Sequence, residues 1–296
     1  MLRLESIGDK TPSKRFCKLQ EKQVGCIGAP LEFAAFMKIS VITVCFNSAV
    51  TIINTLGSVA AQRHADVEHI IIDGGSTDGT VEIVRDACPR PAKIVSEPDL
   101  GIYDAMNKGM AAASGEVVGT LNSDDVFAGP GVLESVCRCF SDPSVNACYG
   151  DLVYVARDEP DRIVRYWKST AYRDGLFSRG WMPPHPTFYL RRSALEKYGG
   201  FDLRYRLQAD FEFTMRMLAV HRLKSIYLPE IMVKMKTGGV TNNRLTNVVK
   251  GNIEAYRACR MHRVNVTPFF IFRKVISRLY QFTAHPKKTD IQTDRT

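Results

Sequence analysis

The chain has 296 residues, of which 45% are hydrophobic and 24% are charged, and its formal net charge is +9 at pH 7. This length and composition indicate a soluble globular protein with one large domain and an appendage. No apolar run approaches the roughly 20 residues that a membrane span needs, and the first residues lack the apolar core of a secretory signal. The basic balance favours anionic partners, namely nucleic acid, phosphorylated metabolites or an anionic membrane surface. A merely basic surface is the simpler alternative.

The eight cysteines form no CxxC pair and no Cys/His cluster with zinc-finger spacing. Several of them lie in apolar runs, where cysteine behaves as a small hydrophobic residue. This usage predicts a reducing compartment, and we therefore expect the protein to be cytoplasmic.

Residues 1–36 show no sustained hydrophobic periodicity, and the character of the chain changes at Met37. We expect this N-terminal extension to be poorly structured and dispensable for folding. The β-branched run KISVITVCF, residues 38–46, predicts a buried strand. Asn47 and Ser48 then offer N-cap side chains for the helix that follows.

Strands and helices alternate through the next part of the chain. The predicted strands cover residues 67–72, 93–95 and 116–121, and the predicted helices cover residues 80–87 and 104–114. Strands that alternate with helices argue for a mostly parallel sheet with helices on both faces.

The pattern is less regular after about residue 150. The segment GWMPPHPTFYLRR reads as a proline-punctuated loop that leads into a strand, and residues 209–220 read as a helix with two acids in its first turn. The chain beyond about residue 245 is helical in pattern and basic. We therefore predict one large globular domain over residues 37–245 and a basic amphipathic helical tail over residues 246–296.

Polar and acidic residues gather where the predicted strands end. The first strand ends at Asn47, the second at Asp73, and the fourth in Asn122-Ser123-Asp124-Asp125. In open parallel sheets, ligands bind outside the carboxyl ends of the strands. A cluster of carboxylates there would repel itself unless a cation or donors from a ligand share the site.

The phosphate-binding motifs of common nucleotide folds are missing. The chain has no GxGxxG after the first strand and no GxxxxGK[ST]. The turn DGGSTDGT after the second strand opens with Asp73, an acid better suited to hydrogen bonding with a base or ribose than to cradling phosphate. An Asx-type turn that caps the next helix is the simpler reading of this turn by itself.

Five segments in order carry a resemblance to a known family. They are ISVITVCFN, IIDGGSTDGT, SEPDLGIYDAMNKGMAAASGEVVGTLNSDD, HPTFYLRRSALEKYGGFD and ADFEF. Across residues 38–240 the chain resembles glycosyltransferase family 2, nearest to the non-processive bacterial enzymes of exopolysaccharide, O-antigen and glycolipid assembly. The resemblance implies a GT-A fold, a nucleotide-sugar donor rather than nucleic acid as partner, a Mg²⁺ or Mn²⁺ ion, and inversion at the anomeric carbon.

The resemblance also implies roles for individual residues. Asp73 resembles the acid that contacts the nucleobase of the donor, Asp124 resembles the last acid of the metal-binding DXD motif, and Asp210 resembles the catalytic base. The other residues that we expect at the nucleotide-sugar site are Asn47, Asp99, Asp104, Asn107, Ser123 and Asp125.

Two positions depart from the family pattern. Asn122 stands where DXD has its first acid, which puts the strength of metal binding in question. Ala209 stands where the family often has Glu, and this leaves Asp210 as the base, with Glu212 as the alternative. His185, held between prolines, is expected to reach either the diphosphate or the acceptor, or else to pack as an ordinary loop histidine.

The chemistry of sugar transfer explains why two acids follow one strand. Negative charge grows on the nucleoside diphosphate as it leaves, and a hard divalent cation held by carboxylates stabilises that charge. Asp124 is the expected ligand, and Asp125 is expected to orient or support the site. An acceptor hydroxyl has a high pKa and attacks poorly, so a carboxylate such as Asp210 has to take its proton.

The C-terminal tail has the composition of a helix that lies on an anionic membrane, although packing on the domain explains it equally well. Its apolar and basic residues are Phe269, Phe270, Phe272, Val275, Ile276 and Leu279 with Arg273, Lys274, Arg278, Lys287 and Lys288. The acceptor is expected to be a glycan or a lipid-linked sugar, met at the inner face of the cell membrane.

Two other functions compete with a glycosyltransferase. A nucleotidyltransferase also uses an α/β sheet and acids, but its usual Gly-rich phosphate loop with Arg and Lys is missing after Phe46. A catalytically inactive nucleotide-sugar-binding subunit of an assembly complex would be consistent with Asn122 and Ala209. A processive polymer synthase is disfavoured, because the chain has neither membrane spans nor a QxxRW segment.

Overall fold

The computed structural model describes residues 37–87, 92–159, 161–237, 245–267, 269–279 and 281. A single mixed sheet runs through this part of the chain. Its strands lie in the order β3 (Ala92–Ser96), β2 (Val67–Asp73), β1 (Ile39–Cys45), β4 (Val117–Thr120), β8 (Tyr189–Arg191), β6 (Ala147–Val155), β9 (Ser225–Lys236) and β5 (Val126–Phe127), with β7 (Ile163–Trp167) paired to β6. The expected poorly structured extension, residues 1–36, lies outside the described residues.

The first half of the sheet is entirely parallel, because β1 pairs with both β2 and β4 and β2 pairs with β3. Helices connect these strands, as the alternating pattern predicts. The elements in chain order are β1 (Ile39–Cys45), α1 (Ile52–Ala60), β2 (Val67–Asp73), α2 (Thr80–Ala87), β3 (Ala92–Ser96), α3 (Ile102–Ala112) and β4 (Val117–Thr120).

The second half of the sheet mixes strand directions. Strand β8 is antiparallel to β4 and β6, β6 is parallel to β9, and β9 is antiparallel to β5. The elements are β5 (Val126–Phe127), α4 (Val132–Cys139), β6 (Ala147–Val155), β7 (Ile163–Trp167), β8 (Tyr189–Arg191), α5 (Arg192–Tyr198), α6 (Ala209–Met215), β9 (Ser225–Lys236), α7 (Leu245–Met261) and α8 (Phe270–Leu279).

Alternate side chains of β1 point to opposite faces of the sheet, and both faces are covered. Ile42 and Val44 belong to a core cluster with residues of α3, α6 and α7, whereas Ile39 and Val41 pack with residues of α4. The two-sided burial explains why β1 reads as a continuous apolar run. The prediction of a mostly parallel sheet with helices on both faces is confirmed.

The first helix starts later than expected. Helix α1 begins at Ile52 with Thr51 at its N-cap position, and no side chain caps it. Asn47 instead adopts a left-handed backbone conformation with φ of 49°. Its side chain serves the neighbouring loop, so the prediction that it caps the helix is wrong.

The C-terminal helices pack against the rest of the domain. Ala255, Ala258 and Cys259 of α7 and Phe270 of α8 are fully buried and belong to the same core cluster as α6. The remaining residues of α8 include an exposed apolar face, described below. In the part of the chain that the structure describes, no helix is both long enough and apolar enough to cross a membrane.

Candidate functional site

The carboxyl end of β2 is built around the carboxylate of Asp73, which is 1% exposed. Its Oδ2 atom accepts the backbone N–H groups of Gly75 at 3.1 Å and Ser76 at 3.0 Å and the hydroxyl of Ser96 at 2.7 Å. The Ser76 hydroxyl donates to Oδ1. Burial would raise the pKa of Asp73, but these hydrogen bonds outweigh it and hold the pKa below its ordinary value. Asp73 is therefore an ionised residue that shapes the Gly-rich turn, and its contact with a nucleobase stays a prediction.

Asn47 ties the end of β1 to the turn after β2. Its Oδ1 atom accepts the N–H of Thr77 at 3.0 Å, and its own N–H donates to the Ser76 hydroxyl at 2.8 Å. One residue on, the N–H of Ser48 donates to Thr80 Oγ1 at 2.8 Å. The two loops are thus held together as one rim at the carboxyl end of the sheet.

Asp99 and Asp104 lie next to this rim. A Cβ atom at Gly74 would come within 2.5 Å of Asp99 Oδ2, so a larger residue there would displace the Asp99 side chain. Asp99 Oδ1 accepts the N–H of Gly101 at 2.8 Å, and Asp104 Oδ2 accepts the N–H of Leu100 at 3.0 Å. Both acids therefore shape the loop between β3 and α3.

Asn107 binds protein rather than facing an open site. Its Oδ1 accepts the N–H of Phe201 at 2.8 Å, and its Nδ2 donates to the carbonyl of the same residue at 2.9 Å. The side chain thus pins α3 to a loop 94 residues away. Its expected place in the nucleotide pocket stays a prediction, and its observed hydrogen bonds indicate a structural role.

The segment Asn122-Ser123-Asp124-Asp125 follows β4. Asp125 is fully buried, and Asn122 Nδ2 donates to its Oδ2 at 3.1 Å. The hydroxyl of Ser123 lies 2.8 Å from that of Ser48, which joins this loop to the rim at β1. Asp124 is partly buried between these two anchored residues. Asp125 therefore supports the loop from behind, while Asp124 keeps an exposed edge.

Two cations lie near the acidic pair. Burial raises the pKa of Asp124, and the positive charges of Lys236 and Arg157 partly offset this effect. Burial also raises the pKa of Asp125 well above its ordinary value, and the adjacent charge of Asp124 adds to the shift. Strand β5 pairs with β9 so that Val126 lies opposite Lys234. Lys236 lies two residues beyond Lys234, at the end of β9.

The residues of this loop suit a divalent cation that is shared with a bound diphosphate. The Oδ1 atoms of Asn122 and Asp125 are buried without a hydrogen-bond partner in the described part of the chain. Asp124 is a partly buried carboxylate whose ionised form an added positive charge would favour. Among the described residues, no group of three or more His, Cys, Asp or Glu side chains is arranged to hold a metal without further ligands. One carboxylate plus phosphate oxygens is a usual ligand set for Mg²⁺.

Asp210 is the second residue of α6 and lies near a histidine and a tyrosine. Its Oδ2 atom lies 3.5 Å from Nδ1 of His185, and burial together with its charge raises the pKa of the nearby Tyr103 hydroxyl. Burial lowers the pKa of His185 although the Asp210 charge opposes the shift, so the imidazole is neutral at pH 7. His185 and Thr120, the last residue of β4, line one small cavity. Asp210 thus contacts a histidine that shares a cavity with Thr120, two positions before Asn122 in the chain.

Glu212 is directed away from that site. It is 1% exposed, and its Oε1 lies 2.8 Å from Nε of Arg216 and 2.7 Å from Nε2 of His262 on α7. Burial would raise the pKa of Glu212, but hydrogen bonds from these two partners lower it. Glu212 is therefore a buried ion-pair residue, and the geometry favours Asp210 as the base.

Sequence reasoning missed Tyr103, Lys236 and Arg157. Tyr103 lies one position before Asp104 in the motif SEPDLGIYDAMN, and only the fold shows that it reaches a residue more than 100 positions away. Lys236 is the last residue of β9, and Arg157 lies two positions after the end of β6. In a chain with a net charge of +9, nothing in the sequence separates these two basic residues from solvated ones.

The chain is similar to known glycosyltransferases. The model of glycosyl transferase family 2 matches residues 40–199. The uncharacterized glycosyltransferase Rv1514c of Mycobacterium tuberculosis is 33% identical over 228 residues, which cover 76% of this chain and 84% of that protein. The PGL/p-HBAD biosynthesis glycosyltransferase Rv2957 of the same organism is 31% identical over 215 residues, covering 69% of this chain and 78% of that protein.

Two solved structures share the fold. The mannosyltransferase PcManGT of Pyrobaculum calidifontis, in complex with GDP-Man and Mn²⁺, has a TM-score of 0.58 at 20% identity and covers 80% of this chain and 69% of its own. Residues 1–349 of TarS from S. aureus, in complex with UDP-GlcNAc, have a TM-score of 0.59 at 18% identity and the same two coverages, 80% and 69%. At these identities the likeness concerns the fold.

Proposed function

Because the chain belongs to glycosyltransferase family 2, we propose that it transfers a sugar, with inversion, from a nucleoside diphosphate sugar to a hydroxyl group of a glycan or lipid-linked acceptor. The product would be a cell-surface polysaccharide or glycolipid. The observation that supports this proposal is the contact of Asp210 with a neutral His185, which lines a cavity together with Thr120, two positions before Asn122.

Asp210 is the general base of the proposed reaction. It accepts the proton of the acceptor hydroxyl while the acceptor oxygen forms its bond to the anomeric carbon. The bond from that carbon to the diphosphate breaks on the opposite face, so the configuration inverts and the electron pair leaves with the nucleoside diphosphate. His185 and Tyr103 flank the carboxylate, and because both are neutral, neither cancels the negative charge that attracts the proton of the acceptor.

Asp124 would hold a Mg²⁺ or Mn²⁺ ion together with the donor diphosphate, and the Oδ1 atom of Asn122 would be available as a further oxygen ligand. The ion supplies Lewis-acid stabilisation of the charge that grows on the leaving group. Lys236 and Arg157, which already act on the electrostatics of Asp124, add positive charge on the phosphate side. Asp125 keeps the loop in place.

The outer face of α8 is suited to an anionic membrane surface. Phe269, Phe272 and Ile276 are 69%, 65% and 48% exposed, and Arg273 between them is exposed as well. Of the apolar and basic residues that the sequence places in this stripe, Phe270 and Lys274 are buried instead. The remaining face would bring the enzyme to a lipid-linked acceptor at the inner side of the cell membrane. The relative Rv2957 is named for PGL/p-HBAD biosynthesis, which is consistent with a lipid-linked acceptor.

A donor screen tests the proposal. The purified protein is incubated with UDP- and GDP-sugars, with Mn²⁺, with Mg²⁺ and with EDTA, and release of UDP or GDP is measured together with the anomeric configuration of any product. We expect release from one donor class, dependent on the metal. Tight binding of a nucleotide sugar without any turnover, with a panel of glycan and polyprenyl-linked acceptors present, would instead identify a nucleotide-sugar-binding subunit.

A further inference from the structure

The two C-terminal helices hold the segment that carries Asp210. The Oε2 atom of Glu254, on α7, accepts the N–H groups of Leu207 at 2.8 Å and Gln208 at 3.1 Å. These two residues directly precede α6. N–H groups at the start of a helix have no hydrogen-bond partner within the helix, and here a carboxylate accepts their hydrogen bonds. The position of the turn that carries Asp210 thus depends on a side chain of α7, more than 40 residues further along the chain.

Lys274 reaches the same turn from α8. Its side chain is 1% exposed, its ammonium group donates to Oε1 of Gln208, and its Nζ lies 4.5 Å from the centre of the Phe211 ring. Burying an ammonium group costs several kcal/mol unless hydrogen bonds and π-contacts offset it. Lys274 thus contacts the residues on both sides of Ala209-Asp210. Its burial costs free energy at a place where a hydrophobic residue could pack without that cost.

Residues on α8 and on the segment that faces it both allow α8 to pack closely against the domain. Phe270, one turn before Lys274, is fully buried, and its ring lies 6.1 Å from that of Phe211. On the facing segment, a Cβ atom at Gly180 would come within 2.5 Å of Cβ of Lys274, and Gly180 has a φ of +83°. A side chain at position 180 would push α8 outward. The close seat of Lys274 thus requires glycine at that position.

We propose that Lys274 is a positioning residue for the transfer reaction, which acts through Gln208 and Phe211 to hold Asp210 within hydrogen-bond reach of the acceptor hydroxyl. This inference rests on the proposed role of Asp210 as base. A displacement of about 1 Å in a reacting group can cost about 10²-fold in rate, so a support that fixes the turn has a large effect on turnover. A residue that only docks α8 would affect stability and leave the turnover of the folded enzyme unchanged.

The test compares Lys274→Met with Lys250→Met in the full-length protein. Both substitutions replace an ammonium group by a thioether of similar length, but Lys250 is exposed on α7. Hydrogen exchange is followed by mass spectrometry in peptides that span residues 205–216. In parallel, kcat and the donor KM are measured with the UDP- or GDP-sugar that supports turnover, and binding of UDP and GDP is measured with Mn²⁺.

For Lys274→Met we expect exchange in residues 207–211 to rise at least fivefold and kcat to fall at least tenfold, with the donor KM and nucleotide affinity within threefold of the wild type. Lys250→Met should match the wild type in all of these. Unchanged exchange, an unchanged kcat, or equal losses in kcat and nucleotide affinity would overturn the proposal. If the wild type turns over no donor, the proposed function fails, and the exchange comparison alone decides whether Lys274 holds the turn.

A second variant removes the same contact from the other side. Gln208→Met should reproduce the effects of Lys274→Met, and the double variant should lose no more than the larger single effect, because both substitutions delete one interaction. If Lys274→Met does not fold, Gln208→Met decides the question by the same measurements. Independent, multiplying losses in the double variant would contradict the inference.

Discussion

His185 and Asp210 face each other with 3.5 Å between Nδ1 and Oδ2, although 25 positions separate them in the chain. Both side chains are largely shielded from solvent, and burial keeps the imidazole neutral. A neutral histidine orients the carboxylate without neutralising its charge. Burial together with the nearby Asp210 charge raises the pKa of the Tyr103 hydroxyl well above its ordinary value, so this neighbour is neutral as well. Asp210 thus has two neutral neighbours, an arrangement that suits the proton acceptor we propose.

Replacing Asp210 by Asn tests its role as base. The amide cannot take the proton of the acceptor, so we expect kcat to fall by about 10²–10⁴ while the donor KM changes little. Steady-state transfer with the donor found by the screen gives both constants. Normal turnover at saturating donor together with a large loss of donor affinity would make Asp210 a binding residue.

The sequence was enough to predict which residues follow the first strands of the sheet, but it was not enough to predict the partners of several side chains. The β-branched runs predicted β1 and β2, the family resemblance predicted the GT-A fold, and both predictions are confirmed. These signals are local, or lie in motifs that keep their order. The side chain of Asn107 hydrogen-bonds to the backbone of Phe201, 94 residues later in the chain, and Glu212 hydrogen-bonds to His262, 50 residues later. Such pairings depend on how helices pack, which no local pattern encodes.

Replacing Asp124 by Ala should remove the proposed carboxylate ligand of the cation. The charge on the leaving diphosphate then lacks its counter-ion, and we expect transfer to fall by about 10²–10³ and Mn²⁺-dependent binding of UDP or GDP to be lost. Calorimetric titration of the nucleotide with and without Mn²⁺ measures the binding. Full wild-type activity in excess EDTA would rule out this role for Asp124.

Replacing Lys236 by Met should weaken binding of the diphosphate. Lys236 is one of two cations that act on Asp124, and a charge-assisted hydrogen bond to phosphate contributes about 1.5–3 kcal/mol, so we expect at least a tenfold weaker affinity for UDP or GDP. The loss should shrink at high ionic strength. Lys224→Met is the matched control, because Lys224 precedes the other end of β9 and pairs with Asp142. Equal effects of the two substitutions would show a general charge effect instead.

Replacing Glu212 by Gln should lower stability rather than remove the base. The substitution leaves Arg216 and His262 without their buried carboxylate, and we expect the free energy of unfolding to fall by about 3 kcal/mol at pH 7. Because the pKa of Glu212 is lower in the folded state than its ordinary value of 4.5, its stabilisation is present above pH 4.5 and is lost as the pH falls through the folded-state pKa.

The difference between wild type and Glu212→Gln should therefore be largest near neutral pH and narrow below about pH 4.5. Urea unfolding at several pH values measures this difference. A difference that stays constant down to pH 3 would contradict the ion pair as its source, and a loss of kcat as large as that of Asp210→Asn in the folded variant would reopen the choice of base.

The exposed face of α8 predicts salt-sensitive binding to anionic membranes. Removing the whole C-terminal segment would not test it cleanly, because Phe270 and Lys274 of the same helix are buried against the domain. Phe269→Ser with Phe272→Ser changes only exposed side chains. Each aromatic ring withdrawn from the interface costs apolar burial, and each basic group near the surface contributes about 1 kcal/mol that salt screens.

We therefore expect the wild type to sediment with vesicles that contain phosphatidylglycerol, and to bind less at high ionic strength. The double variant should lose most of this binding at an unchanged melting temperature, whereas Ile53→Ser, an exposed residue of α1, should bind like the wild type. If the double variant binds as well as the wild type, or if it loses melting temperature instead, then the face packs against protein and does not meet the membrane.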